Sequence, residues 1–134
     1  IVQHIKEQAC SNPYGWEKMS SYTTYYNAED KGRCENIAIA ASLLDGVTVQ
    51  PYGEFSFNQT VGRRTQEAGF KQAKIIVGGE YVLGVGGGVC QVSTTLYNAA
   101  LKAGLTVTEF CHAIKLRLRR LCGNPVKARH FARF

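Results

Sequence analysis

The feature that most constrains this chain is the run Gly84-Val85-Gly86-Gly87-Gly88-Val89-Cys90-Gln91-Val92-Ser93-Thr94-Thr95-Leu96-Tyr97-Asn98-Ala99-Ala100. Four glycines precede a single cysteine, and apolar residues at helical spacing (Val92, Leu96, Ala99, Ala100) follow it. Glycine permits backbone paths and close approaches that a Cβ forbids. The spacing predicts a helix over 91–102, capped by Gly104. The Cys90 thiol is thereby placed at a helix N-terminus, where unpaired N–H groups and the helix dipole favour an anion. Thiolates form more readily in such settings. The residues alone therefore read as a site for a nucleophilic cysteine, with the N–H groups of Cys90 and Gln91 directed at a developing oxyanion. The plainer reading of Cys90 is a buried structural cysteine.

A phosphate-binding loop fits this run less well. Gly-Val-Gly-Gly-Gly lacks both the Lys-Ser/Thr of a P-loop and the spacing of G-x-G-x-x-G. Close approach of a substrate backbone to Gly86, Gly87 and Gly88 is the better use. A cysteine nucleophile calls for a base. His112, at the end of the strand that follows the helix, is the candidate, its plain alternative being an exposed strand-end histidine. The planar fork of Arg64 suits a substrate carboxylate, or it is a solvated loop arginine. Ser93 and Thr94 are most simply polar residues of the helix's first turn.

The rest of the pattern predicts a single α+β domain with a mixed or antiparallel sheet and two main helices, 34–44 and 91–102. Ile37, Ala40, Ala41 and Leu44 form one helical face ending at Asp45-Gly46. Strands are expected over 20–27, which is rich in Thr and Tyr, and over 47–49, 55–57, 73–77, 80–83 and 105–110. Gly78-Gly79 is a hairpin turn, 51–54 another turn, and 66–68 one turn of helix.

Of the 134 residues, 1–19 read as a lead-in, 20–112 as the domain and 113–134 as a basic tail. The net charge of +6 arises in that tail. Residues 1–112 carry nine Lys/Arg against ten Asp/Glu, so the body presents no basic face for nucleic acid. The five cysteines show no metal-ligand spacing, and neither a metal nor a cofactor is expected. No apolar run approaches the roughly 20 residues that span a bilayer, and no signal peptide is legible. A chain starting at Ile1 reads as a fragment, so any membrane anchor would lie on a segment not included in it.

Together, Tyr22-Thr23-Thr24-Tyr25-Tyr26-Asn27, Asn36-Ile37, Phe55-Ser56-Phe57-Asn58, Val61-Gly62-Arg63-Arg64-Thr65 and Gly86-Gly87-Gly88-Val89-Cys90-Gln91-Val92-Ser93-Thr94 strongly resemble the VanW domain family. The resemblance runs from about Ser20 to His112. It implies a bacterial, extracytoplasmic domain acting at the cell wall, often membrane-anchored and named for vancomycin-resistance clusters. It further implies an L,D-transpeptidase-like acyltransferase whose cysteine, here Cys90, forms a thioester with peptidoglycan stem peptides and makes 3→3 cross-links. On that reading Gly86, Gly87, Gly88, Gln91, Ser93, Thr94 and Arg64 line the substrate. The alternative is a non-catalytic peptidoglycan-binding or resistance-accessory module. After His112 the family's His-x-His-Ser-like segment and Tyr-Val-Pro strand are not legible. The coincident break in charge reads as a shifted reading frame or truncation.

Overall fold

In the computed structural model, the backbone is described for residues 20–49, 52–111, 115–119 and 126–127, and side chains as far as residue 109. The elements run α1 (Lys31–Leu44), β1 (Thr48–Val49), β2 (Glu54–Ser56), α2 (Phe57–Val61), β3 (Gln72–Val77), β4 (Glu80–Val85), α3 (Val89–Lys102), β5 (Thr106–Cys111), β6 (Lys115–Arg119) and β7 (Val126–Lys127). Every ladder among the described residues is antiparallel: β1 with β7, β3 with β4, and a three-stranded sheet β2-β6-β5. The fold is α+β.

Each main helix is specified by its own sequence. Asp30 caps α1, its carboxylate accepting from the Arg33 N–H at 3.1 Å, which supplies one of the helix's orphan donors with a partner. The start therefore falls three residues before the expected Cys34. The stop at Asp45-Gly46 is as read, with the Asp45 N–H closing onto Ala41 O and Ser42 O. Ile37, Ala40 and Leu44 bury one face of α1, and Val89, Val92, Leu96, Ala99 and Ala100 bury the facing side of α3. Phe55, Phe57, Val61 and Phe70 complete this core. The hairpin is also as read, with Val77 paired to Glu80 across Gly78-Gly79. Its strands are longer than the pattern indicated, and β4 continues to Val85, so it leads directly into the glycine turn ahead of α3.

Three expectations are corrected. Residues 20–27 form no strand, because no neighbouring strand offers them a ladder. They run antiparallel along α3 instead, tethered by side chains: Ser20 donates to Ala99 O, and Thr24 shares a 2.7 Å hydroxyl contact with Thr95. Phe57 does not continue β2; Ser56 caps a short helix there, its hydroxyl accepting from Gln59 N at 3.4 Å. Residues 66–69 form a hydrogen-bonded turn, not helix, closed by Gly69 N–H to Gln66 O and Phe70 N–H to Thr65 O.

The basic stretch contributes to the sheet. β6 lies between β2 and β5, with Phe55 opposite Leu118 and Val107 opposite Leu118 on its other side.

Candidate functional site

The site is built on the turn from β4 into α3. Gly88 is the N-cap of α3 with φ +105°, a conformation that glycine adopts without steric cost. Val89 N–H closes onto Gly86 O at 3.3 Å and Gln91 N–H onto Gly88 O at 3.0 Å. Cys90 therefore sits in the first turn of a fourteen-residue helix, with an exposed thiol that is in no disulfide. The Gln91 N–H is taken up inside that turn, which removes it from the oxyanion role the sequence suggested for it.

The glycines are required by what lies behind them. A methyl group on Gly87 would sit 2.6 Å from Lys74 O and 2.8 Å from Ala73 Cβ. On Gly88 it would meet Arg33 Cγ at 2.9 Å, and on Gly86 Arg64 Cβ at 2.7 Å. Close packing of the turn onto β3, α1 and Arg64 is thus sufficient reason for all three. Gly87 and Gly88 are buried.

Asn36 locks the turn in place. It is fully buried on α1; its amide donates to Lys71 O and to Gly87 O, each at 2.9 Å, and its carbonyl accepts from Lys71 N at 2.7 Å. One side chain thereby binds α1, the entry to β3 and the glycine turn together.

Gln91, read as a substrate contact, is committed to the protein. Its Oε1 accepts from Arg33 Nη2 at 2.8 Å, and its Nε2 donates to Thr24 Oγ1 at 3.1 Å and Tyr25 O at 2.9 Å. Ser93 is buried and donates to Cys90 O at 3.0 Å. Thr94 is exposed on α3, and its carbonyl accepts from Asn98 Nδ2.

Arg64 comes to the glycine turn ahead of the cysteine, within electrostatic range of Cys90. Its aliphatic stem lies over Gly86, its Nη2 donates to Asn58 Oδ1 at 2.7 Å, and its Nε is buried without a hydrogen-bond partner. Burial lowers the guanidinium's pKa, an effect partly offset by the charge of a Cys90 thiolate. The structure thus sets Arg64 against the glycine turn that precedes Cys90, ties the half-buried Gln91 to neighbouring segments and buries Ser93. His112 lies outside the described residues, as do His4 and His130. The described residues contain no group of three or more His, Cys, Asp or Glu able to hold a metal ion, and no helix long and apolar enough to cross a membrane.

Sequence reading gave Arg33 no role, and placed Asn36 and Asn58 in the family motifs without the contacts they make here. Their partners are 58, 35 and 6 residues away along the chain. Only the last pair was near enough in sequence to be found from local spacing.

Comparison with known proteins agrees with the motifs. The chain is 48% identical over 93 residues to the uncharacterized protein YoaR of Bacillus subtilis, covering 69% of this chain and 31% of that protein. It is 30% identical over 74 residues to the vancomycin B-type resistance protein VanW of Enterococcus faecalis, covering 55% of this chain and 27% of that protein. The chain thus spans less than a third of the length of these relatives. No solved structure matches it. The family model described as VanW like protein matches residues 32–119, which takes in α1, the glycine turn, Cys90 and β6. The chain belongs to the VanW-like family.

Proposed function

We propose that this domain is a cysteine acyltransferase of the L,D-transpeptidase type, acting on peptidoglycan stem peptides on the wall side of the bacterial membrane. The observation that supports it most is the exposed Cys90 thiol in the first turn of α3, directly after the glycine turn that carries Arg64. In the first half-reaction the Cys90 sulfur attacks the carbonyl of the L-centre of a tetrapeptide stem. The C–N bond to the terminal D-Ala breaks, the departing amine takes a proton, and a thioester remains. In the second, an amine of a neighbouring stem attacks the thioester, loses a proton, and releases the thiolate with a new amide bond. His112, the residue following β5, is proposed as the base that moves these protons. The stem would pass Gly86, the half-buried residue of the turn, with Thr94 exposed one helical turn beyond Cys90.

The commitment of Gln91 and Ser93 to the fold favours a second reading, a peptide-binding or resistance-accessory module without turnover. Mass spectrometry after incubation with a carbapenem or a tetrapeptide-stem analogue separates the two. The enzyme reading expects a covalent adduct on Cys90, lost in Cys90→Ala along with cross-linking. A Cys90→Ala variant that still cross-links sinks it, and muropeptide binding with no adduct supports the module.

A further inference from the structure

Arg64 is arranged as a fixed, partly unsatisfied cation. A guanidinium in solution rotates freely and is fully hydrated. Here the stem is pinned where Gly86 has no side chain, and one terminal nitrogen is held by Asn58 at 2.7 Å. Asn58 itself is placed by α2, whose last turn closes through Gly62 N–H to Asn58 O at 2.9 Å. Gly62 follows at φ +69°, and two residues later the Arg64 stem lies over Gly86. Asn58 is neutral, so the hydrogen bond orients the fork without cancelling its charge. The Nε–H is buried and has no acceptor in the protein, so the terminal nitrogens are the part of the fork open to a partner. Among the described residues, the ion pair found is Lys71 with Glu35, which does not involve Arg64.

We propose that Arg64 is the residue that selects a carboxylate-bearing partner for Cys90, and that Asn58 is the positioning residue that keeps its charge aimed there. This rests on Cys90 as the reacting group of the proposed function and adds the class of molecule admitted to it: one carrying an anion close to the atom the sulfur attacks. Planar, two-pronged recognition is what arginine offers a carboxylate and lysine does not.

The test uses the intact chain and two alkylating probes of similar size, iodoacetate and iodoacetamide. With either, the Cys90 sulfur forms a bond to the reagent's methylene carbon, iodide leaves, and the thiol proton passes to buffer. Only iodoacetate is an anion, so the ratio of the two rates at Cys90, read by site-resolved mass spectrometry, cancels changes in thiol ionisation and access. One nearby charge in a partly solvated setting is worth about a three- to tenfold change in that ratio at low salt. Arg64→Gln is expected to lower the ratio by that factor. Asn58→Asp, which keeps Arg64 and its hydrogen bond but neutralises it, is expected to do the same. Arg64→Lys, which keeps the charge without the fork, should retain part of the ratio.

An unchanged ratio in folded Arg64→Gln overturns the proposal. Should Arg64→Gln not fold, an unchanged ratio in Asn58→Asp overturns it. Equal slowing with both probes, the mark of a merely structural role, also overturns it. The ratio reads charge at Cys90 whether or not acyl transfer occurs. A lowered ratio with no stem-peptide adduct would therefore defeat the proposed function and leave this inference standing.

Discussion

Removing the Asn36 side chain should be among the most damaging single changes in this domain. Asn36→Ala deletes three hydrogen bonds of 2.7–2.9 Å and takes the Asn36 partner from the Lys71 N–H and Gly87 O, while Lys71 O keeps the Gly86 N–H at 3.0 Å. A net worth of about 1 kcal/mol per bond gives roughly 3 kcal/mol, more if the buried Gly87 carbonyl finds no water. Against the roughly 5–15 kcal/mol that holds a domain together, this is a large fraction. In urea, with a slope of about 1.5 kcal/mol/M, the midpoint should fall by about 2 M with the slope unchanged. Asn36→Asp sharpens the reasoning. It keeps the acceptor for Lys71 N–H but sets a carboxylate oxygen against two carbonyls, and only the protonated acid restores a donor. Its pKa is thus higher folded than unfolded. The stability this proton provides is present below the unfolded value and lost as pH rises through the folded one. The variant should therefore be closer to wild type near pH 4 than at pH 7. A loss below about 1 kcal/mol in Asn36→Ala, or an Asn36→Asp deficit that shrinks as pH rises, would refute the account of Asn36 as the clamp on the glycine turn.

Gly87→Ala places a methyl 2.6 Å from Lys74 O, a backbone contact that cannot rotate away, and should cost about 2–3 kcal/mol in urea unfolding; Gly46→Ala, with open space at φ +78°, should cost only about 1 kcal/mol. Gln91→Leu removes the three bonds joining α3 to Thr24, Tyr25 and Arg33; it should cost about 2–3 kcal/mol and speed proteolysis within residues 20–27, and an unaltered cleavage rate there would count against the tether. The nearby backbone N–H of Glu67 and the Thr65 hydroxyl favour the charged carboxylate and hold the Glu67 pKa below the ordinary glutamate value. Its contribution is present above the unfolded pKa and fades as pH falls through the lower folded one. NMR titration should show a depressed midpoint that rises in Thr65→Val, and a midpoint at or above the ordinary value would contradict the role of the Thr65 hydroxyl.

Much of this architecture was legible because it is decided by near neighbours along the chain. The 3.6-residue spacing of Ile37, Ala40 and Leu44, the stop at Asp45-Gly46, the Gly78-Gly79 hairpin and the glycines before Cys90 all act over a few residues. Those local rules delivered both long helices, the hairpin and a cysteine in a helix's first turn. Residues 20–27 show where such rules fail. Their Thr and Tyr content suits a strand, but a strand is a property of a pair, and these residues find the side of α3 instead of a ladder. Phe57 alternates like strand yet begins a helix because the Ser56 hydroxyl caps it.

The sequence by itself determined the family, the α+β class and the place of Cys90. Only the tertiary structure decided which polar side chains serve the fold and which face outward. Gln91 and Ser93 stand next to the cysteine in sequence and are tied into the fold, whereas Arg64, 26 positions before it, is brought to the glycine turn ahead of it. The physical reason is that a buried amide or hydroxyl must find a partner wherever the packing places one. That partner is fixed by the meeting of α1, β3 and α3, which local spacing does not encode.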